Sequence, residues 1–321
     1  MQRIRKAEFL GGVASVVVES YALVNTPQTP RSGWSVPSET TVLQAADGVP
    51  IYASVRGSGD IAVVVVHGFS GGHRHGSHAR LLGWFEKHFT VIAIDQRGHG
   101  SSGGGCTLSY LEVLDLDAAV AWARERGAKQ VVTVGFSMGC STVLRHAALT
   151  NPNTVRSEYD QQLVVTNSPD AVIGVGGAAY WYFRGSRQMY LLHTLVKFGW
   201  GRKIIKDRFG VNLSMNSWPE ENDPRRLEIQ PLDPTGSVAA AAPLPLLIVH
   251  GSKDNYFPDA HAHQLIASAQ SVEGNRADLW YEIGMGHAES GTTQPLVERI
   301  ATWITTSTNS SDSTDSTKRV S

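Results

Sequence analysis

A serine flanked by glycines follows a β-branched run in the segment Gly135-Phe136-Ser137-Met138-Gly139. A serine hydroxyl is a weak nucleophile until a neighbouring base takes its proton, and a third group must orient that base. The G-x-S-x-G pattern before a helix-compatible segment is typical of a nucleophile elbow, a sharp strand-to-helix turn. Because the turn leaves no room for a Cβ at Gly135 and Gly139, both positions require glycine. The sequence therefore predicts that Ser137 is a catalytic nucleophile at a helix N-terminus, where unpaired N–H groups favour a developing anion.

The candidate base is His287, one of 12 histidines in the chain. It follows the apolar run 279–283 and lies in the segment Gly284-Met285-Gly286-His287. The glycines would let this loop bring the imidazole over Ser137. A neutral imidazole near pH 7 can accept the serine proton and later deliver it to a leaving group.

The candidate acid is Asp254, which follows the apolar run 246–249. The intervening glycine turn could aim its carboxylate along the strand end. Asp170 is a rival, because it follows the run 163–166, which we predict to be a strand that ends at the same face. The order Ser, Asp, His is the one associated with this elbow.

Acyl transfer at a serine also needs two backbone N–H groups aimed at the developing negative oxygen. One is expected from Met138, the residue after the nucleophile. The other is expected from Phe69, in the loop after the apolar run 61–66, where Gly68 permits a close backbone approach.

Two further polar clusters are interpreted as structural. In the turn 95–102 we expect Asp95 and Arg97 to pair and the glycines to shape the backbone. Three histidines at 73, 75 and 78 could bind a metal, but no carboxylate is interleaved between them. We expect them to form a polar loop at the pocket entrance, with no metal.

Apolar runs alternate with helix-compatible stretches along most of the chain. The predicted strands are 41–44 and 51–55, which form a hairpin around Asp47-Gly48, and then 61–66, 91–94, 131–134, 163–166, 246–249 and 279–283. Such runs are typical of a mostly parallel twisted sheet with helices on both faces, so the predicted fold class is α/β. Ligands bind such sheets at the carboxyl ends of the strands.

The segment 171–242 breaks this alternation, because it is rich in aromatic and basic residues and shows no buried-strand pattern. We predict an inserted helical cap there. Trp181, Tyr182 and Phe183 would line an apolar substrate pocket, although packing of the cap onto the core would explain them equally well. The predicted core comprises 40–170 and 243–305, between a leader at 1–39 and a disordered tail at 306–321.

Composition limits the partners and the compartment. A formal net charge of −1 over 321 residues gives no reason to expect nucleic acid. The apolar stretch 9–18 after three basic residues is similar to a signal peptide, but it is too short for a transmembrane helix. We expect a cytoplasmic protein, and leave open its oligomeric state and any export or membrane contact through this stretch.

Cys106 and Cys140 have no metal-ligand spacing, and Cys140 is expected to pack against the sheet.

In these motifs the chain resembles the α/β-hydrolase fold superfamily. The matching pieces occur in the family's order: His67-Gly68-Phe69, Asp95-x-Arg97-Gly98-x-Gly100-x-Ser102, Gly135-x-Ser137-x-Gly139, Asp254 and Gly286-His287. The resemblance covers roughly residues 40–170 and 243–305. It implies hydrolysis of a carboxylic ester through an acyl-enzyme on Ser137, with a cap over the site and no cofactor. A serine at the elbow is unlike haloalkane dehalogenases and epoxide hydrolases, which use an aspartate nucleophile.

The resemblance specifies the machinery much better than the substrate, which we expect to be a small acyl compound. The same residues could serve C–C bond, thioester or peptide hydrolysis, or a cofactor-free peroxidase. A non-catalytic ligand-binding protein of the same fold is the alternative from a different class.

Overall fold

An eight-stranded sheet forms the centre of the protein in a computed structural model. The structure describes residues 39–73, 75–214 and 230–315, and it describes their side chains as far as residue 308. The strand order is β1-β2-β4-β3-β5-β6-β7-β8. The strands are β1 Glu39–Gln44, β2 Pro50–Arg56, β3 Ile61–Val66, β4 Thr90–Ile94, β5 Gln130–Phe136, β6 Ala171–Val175, β7 Pro245–Gly251 and β8 Arg276–Glu282. β1 and β2 form the predicted antiparallel hairpin, β2 also pairs antiparallel with β4, and all other pairs are parallel.

Helices cover both faces of the sheet. They are α1 Gly76–Phe85, α2 Glu112–Glu125, α3 Met138–Thr150, α4 Arg187–Lys197, α5 Gly199–Phe209, α6 Pro234–Ala240, α7 Ala260–Gln270, α8 Ala288–Gly291 and α9 Gln294–Asp315. Val64 and Val66 of β3 pack with residues of α2, α3 and α7. Val63 and Val65 of the same strand pack with residues of α1 and α9. Because alternate residues enter two separate cores, β3 is apolar throughout rather than alternating.

The strand predicted at 163–166 is wrong. Its place in the sheet is taken by β6, Ala171–Val175. The backbone N–H groups of Thr166 and Asn167 donate to the Asp117 carboxylate rather than to a neighbouring strand, at 2.9 and 2.8 Å. Val164 is 63% exposed, so the run also lacks the burial of a central strand.

This change moves the boundaries of the inserted segment. Residues 171–175, which were assigned to the cap, belong to the sheet because they pair with β5 and β7. At the other end, α6 packs against α3 and α7 and therefore belongs to the core. The segment that leaves the sheet after Val175 contributes α4 and α5, which pack against each other.

The disordered tail predicted at 306–321 is wrong for residues 306–315, which continue α9. The hydroxyls of Thr305, Thr306 and Thr308 each donate to the backbone carbonyl four residues earlier. The Thr308 carbonyl also accepts a hydrogen bond from Gln130 at 3.0 Å, which ties this helix to β5. Residues 316–321 and almost all of the predicted leader lie outside the described residues. None of the described helices is long and apolar enough to cross a membrane.

The pairing expected between Asp95 and Arg97 is also wrong. Arg97 donates to Asp115 and to Asp47, with Nη2 2.7 Å from Asp115 Oδ1 and Nη1 2.6 Å from Asp47 Oδ2. Asp95 instead accepts from His73. The turn after β4 is therefore structural, as expected, but Arg97 connects it to the hairpin loop and to α2.

Replacing Arg97 with methionine should destabilise the fold by about 3–5 kcal/mol, because Asp115 would be left as an unpaired buried charge. Arg97 is 2% exposed and Asp115 0% exposed. Urea unfolding followed by circular dichroism measures the change. Lys129→Met is the matched control, since Lys129 pairs with Asp60 in solvent and its loss should leave the midpoint unchanged. An Arg97→Met midpoint equal to that of the control would contradict the prediction.

Candidate active site

Ser137 occupies a sharp turn between β5 and α3, with φ 52° and ψ −112°. A Cβ on Gly135 would lie 2.1 Å from the carbonyl oxygen of Gly139, and a Cβ on Gly139 would lie 2.4 Å from that of Val66. Both distances are far below any real contact, so the structure confirms that these two positions require glycine. The turn places the Ser137 hydroxyl at the N-terminus of α3.

His287 contacts both of its predicted partners. Its Nε2 lies 2.8 Å from Ser137 Oγ, and its Nδ1 lies 2.7 Å from Asp254 Oδ2. Asp254 also accepts the backbone N–H groups of Tyr256 and Phe257 through Oδ1, at 2.8 and 3.0 Å. The sequence predicts Ser137, Asp254 and His287 in one site, and the structure brings their side chains into one hydrogen-bonded chain.

The electrostatics of Asp254 fix the tautomer of this histidine. Burial alone would raise the pKa of Asp254, but the hydrogen bond and charge of His287 hold that pKa below its usual range. An ionised carboxylate only accepts hydrogen bonds, so the proton of the neutral imidazole lies on Nδ1. Nε2 is then free to accept the proton of Ser137.

Asp170, the rival acid, lies at the amino ends of the parallel strands, whereas Ser137 and His287 follow their carboxyl ends. It precedes β6, and its backbone N–H donates to the Val131 carbonyl at the start of β5. Its Oδ2 lies 2.6 Å from Arg124 Nη2. The expectation that it could reach His287 depended on the strand at 163–166, and it is wrong for the same reason.

The two predicted oxyanion donors lie beside Ser137. Among the described residues, neither the Phe69 nor the Met138 backbone N–H has a hydrogen-bond acceptor. A Cβ on Gly68 would lie 3.1 Å from the Ser137 Cβ, so the Phe69 loop passes directly against the nucleophile. His99 supports this loop from behind, with Nε2 2.5 Å from the Phe69 carbonyl oxygen. Free donors on two sides of a serine are the arrangement that binds a developing oxyanion, and their role stays a prediction.

A cavity of about 450 Å³ opens above Ser137, between the sheet and the inserted segment. Trp181, Tyr182 and Phe183 all line it, as the sequence predicts. The same aromatic residues also hold the segment in place, since the Trp181 indole N–H donates to the Pro231 carbonyl and the Phe183 ring packs on His261. Helices α4 and α5 of the inserted segment add Leu192, Leu195, Val196 and Ile205 to the lining.

The model of the alpha/beta hydrolase family matches residues 63–298. The chain belongs to the α/β hydrolase family. It is 27% identical to the serine hydrolase BPHL of Mus musculus over 248 residues, which are 76% of this chain and 79% of that protein. The identity to the Homo sapiens serine hydrolase BPHL is also 27%, over 261 residues and 79% and 84% of the two chains.

The fold of this α/β hydrolase is similar to that of solved structures. The esterase Pf2001 of Pyrococcus furiosus superposes with a TM-score of 0.60 at 18% identity, over 84% of this chain and 92% of that one. Together with the sheet order, this confirms the predicted fold class, and the family model confirms the family resemblance.

The α/β hydrolase has a carboxylate in its site that the sequence analysis missed. Glu289 lines the cavity, and its Oε1 accepts the backbone N–H of Gly68 at 2.6 Å. Burial raises the pKa of Glu289 above its usual range. Its position two residues after His287 was the available signal, because the loop that delivers the base must also bring the next residues to the site.

Replacing Glu289 with glutamine should move the acid limb of the kcat/KM profile to lower pH. Above its raised pKa, ionised Glu289 stabilises the imidazolium of His287, and an amide would remove that attraction. A glutamine oxygen can still accept from Gly68, so the loop should stay in place. The matched control is Glu298→Gln, an exposed change on α9. A profile that does not move in Glu289→Gln would show that this carboxylate has no influence on the base.

Tyr256 is a second missed residue. Its ring stacks on His287, with ring centroids 4.2 Å apart and an interplanar angle of 23°. The same loop supplies the backbone N–H that binds Asp254. One short segment after β7 therefore positions the acid and restrains the base.

The histidines at 73–78 have separate roles. His75 lines the cavity, which agrees with a polar loop at its entrance. His73 is buried against Asp95, and His78 lies buried in α1. The described residues contain no group of three or more His, Cys, Asp or Glu side chains placed to hold a metal ion.

The two cysteines are both buried. Cys140 packs in the core with residues of the sheet, as predicted, close to Gly174 and Gly177. Burial raises the pKa of its thiol to about 12, which leaves the unreactive neutral form at neutral pH.

Proposed function

We propose that this α/β hydrolase cleaves carboxylic esters of small, uncharged or moderately apolar acyl groups, with Ser137 as nucleophile. The observation that carries the proposal is the hydrogen-bonded chain from Ser137 through His287 to Asp254 at the floor of an apolar cavity. The BPHL relatives, which are named serine hydrolases, support the same class of reaction.

In the acylation half, Ser137 Oγ attacks the acyl carbonyl while His287 Nε2 accepts its proton. The carbonyl oxygen becomes negative and is bound by the N–H groups of Phe69 and Met138. Asp254 stabilises the imidazolium that forms. The carbon–oxygen bond to the alcohol then breaks as the imidazolium returns the proton to the departing oxygen, which leaves an acyl-enzyme on Ser137.

In the deacylation half, the same groups act on water. His287 takes a proton from the water as its oxygen attacks the acyl carbon, and the second tetrahedral intermediate uses the same two N–H groups. The bond to Ser137 Oγ breaks, the imidazolium protonates that oxygen, and the carboxylic acid leaves. The net reaction consumes one water and needs no further reactant.

The cavity lining favours neutral acyl groups. Among the described residues that line it there is no lysine or arginine, and Glu289 is the single carboxylate. An ester whose acyl chain carries a free carboxylate would have no lysine or arginine in the cavity to pair with, and Glu289 would repel it. A panel of neutral and dicarboxylic nitrophenyl esters should therefore show a preference for the neutral ones.

Intact-mass spectrometry after treatment with a fluorophosphonate tests the proposal. One adduct per chain is expected on Ser137, and none on Ser137→Ala. Ser141→Ala is the matched control, since Ser141 also lines the cavity but lies outside the hydrogen-bonded chain. A folded wild-type protein that hydrolyses no ester and gains no adduct would overturn the proposal. An adduct that persists in Ser137→Ala would overturn the choice of nucleophile.

A further inference from the structure

The outward sides of α4 and α5 carry large apolar side chains in solvent. We define the outer cap face as the exposed residues Arg187, Tyr190, Leu191, Lys197, Phe198, Trp200, Lys203, Ile204 and Arg208. Tyr190 is 61% exposed and Trp200 is 59% exposed. In α5 the members recur three and four residues apart, so they form one stripe along the helix.

Two aromatic members of the outer cap face are in direct contact. The rings of Phe198 and Trp200 stack, with centroids 5.7 Å apart and an interplanar angle of 11°. The two residues lie at the junction of the two helices, and the exposed Ile204 follows Trp200 by one helical turn on α5. Scattered single apolar residues are normal on a protein surface, but a contiguous patch of aromatic and aliphatic groups indicates a binding surface.

The charge of the same helices points to the kind of partner. Residues 187–209 contain six lysines and arginines and one acidic residue, Asp207, whereas the whole chain has a formal net charge of −1. The positive charge is therefore concentrated on α4 and α5, where Lys203 pairs with Asp207 at 2.6 Å, and not on the whole inserted segment, whose residues 220–228 add four carboxylates and two arginines. A second copy of this chain would bring the same cations face to face in a symmetric dimer, which disfavours self-association through this face.

We propose that the outer cap face docks on an anionic lipid surface. An amphipathic helix with aromatic and aliphatic residues flanked by lysine and arginine lies in the plane of a membrane, with its apolar side in the headgroup region. The long basic side chains reach the lipid phosphates while their alkyl stems cover apolar surface. Trp200 and Tyr190 have the amphipathic rings that favour this interface.

Docking in this orientation places the substrate cavity next to the lipid. The inner sides of α4 and α5 line the cavity, and Leu191 and Phe209 are at once exposed and part of its lining. A lipid surface against the outer cap face would therefore lie within one helix diameter of the cavity, about 10 Å. The docking itself does not depend on which bond the site cleaves.

Flotation of the full chain with vesicles tests the proposal. The wild-type protein is expected to float with vesicles of phosphatidylcholine and phosphatidylglycerol, to stay behind with phosphatidylcholine alone, and to lose binding as salt is raised. Trp200→Ala combined with Ile204→Ala should lower partitioning by at least about tenfold. Arg208→Gln should lower it by about fivefold, which corresponds to the attraction of one basic residue.

Val164→Ala is the matched control, because Val164 is an exposed apolar residue outside the cap. Circular dichroism and fluorophosphonate labelling of all variants are expected to match the wild-type protein, since Trp200, Ile204 and Arg208 do not line the cavity. Failure of the wild-type protein to float overturns the proposal and leaves an acidic protein as the occupant to test. Equal binding to both vesicle types, or unchanged binding of the Trp200→Ala, Ile204→Ala variant, overturns it as well.

Discussion

The variant His287→Ala is expected to lower kcat for an activated ester by about 10⁴- to 10⁶-fold, and adding Ser137→Ala should lower it little further. Among the described residues, His287 is the base in hydrogen-bond contact with Ser137, since its Nε2 lies 2.8 Å from Ser137 Oγ, and it holds the proton while Asp254 stabilises the imidazolium. Once the base is gone, the serine hydroxyl has no advantage over water. Steady-state kinetics of both single variants and the double variant measure the coupling.

His263→Ala is the matched control for the loss of an imidazole. His263 lies on the exposed side of α7, away from Ser137, so its removal should leave kcat within a few-fold of wild type. If the losses in kcat of the two single variants multiply in the double variant, the prediction is contradicted. That result would mean that Ser137 and His287 do not act as one unit.

Asp254→Asn should lower kcat by about 10⁴-fold with little change in KM. In the wild-type protein Oδ1 accepts two backbone N–H groups from Tyr256 and Phe257, and Oδ2 faces His287. An asparagine must keep its carbonyl oxygen toward those N–H groups and therefore turns its NH₂ toward Nδ1. Nδ1 then has to accept, so the neutral ring carries its proton on Nε2 and cannot take the proton of Ser137.

Asp170→Asn separates this reason from the mere loss of a hydrogen-bonded carboxylate. Asp170 accepts hydrogen bonds from Arg124 and from the backbone of Val131, at the amino end of the parallel strands. This variant should lower stability but leave kcat close to wild type. A larger catalytic loss in Asp170→Asn than in Asp254→Asn would reverse the assignment.

The residues predicted best from sequence were those that a local pattern controls. Glycine is required at 135 because a Cβ there would lie 2.1 Å from the Gly139 carbonyl oxygen of the same turn, whereas at 139 a Cβ would lie 2.4 Å from the Val66 carbonyl oxygen of the adjacent strand β3. Asp254 follows a continuous apolar run, His287 follows a run interrupted by Glu282, and parallel strands bring their carboxyl ends to one side of the sheet. The three side chains could therefore be placed together without knowing the strand order.

The residues that were missed depend on partners far away in sequence. The partner of Arg97 is Asp115 on α2 rather than the neighbouring Asp95, because α2 packs over that turn. The run 163–166 has the composition of a strand, yet Asp117 takes its backbone N–H groups. Residue spacing does not predict these contacts, because their partners are far apart in sequence and meet only in the folded chain.

The position of the cap between two neighbouring strands has a consequence for engineering. The chain leaves the sheet at the end of β6 and returns through α6 to β7, which is paired in parallel with β6. The two attachment points are thus held by the sheet itself rather than by the cap. A shorter or longer cap could be grafted between Gly176 and Asp233 without changing the strand register or the loops that carry Asp254 and His287. Since α4 and α5 supply part of the cavity lining and the sheet loops carry Ser137, Asp254 and His287, we expect an exchange of the inserted segment to change substrate range while the catalytic residues keep their places.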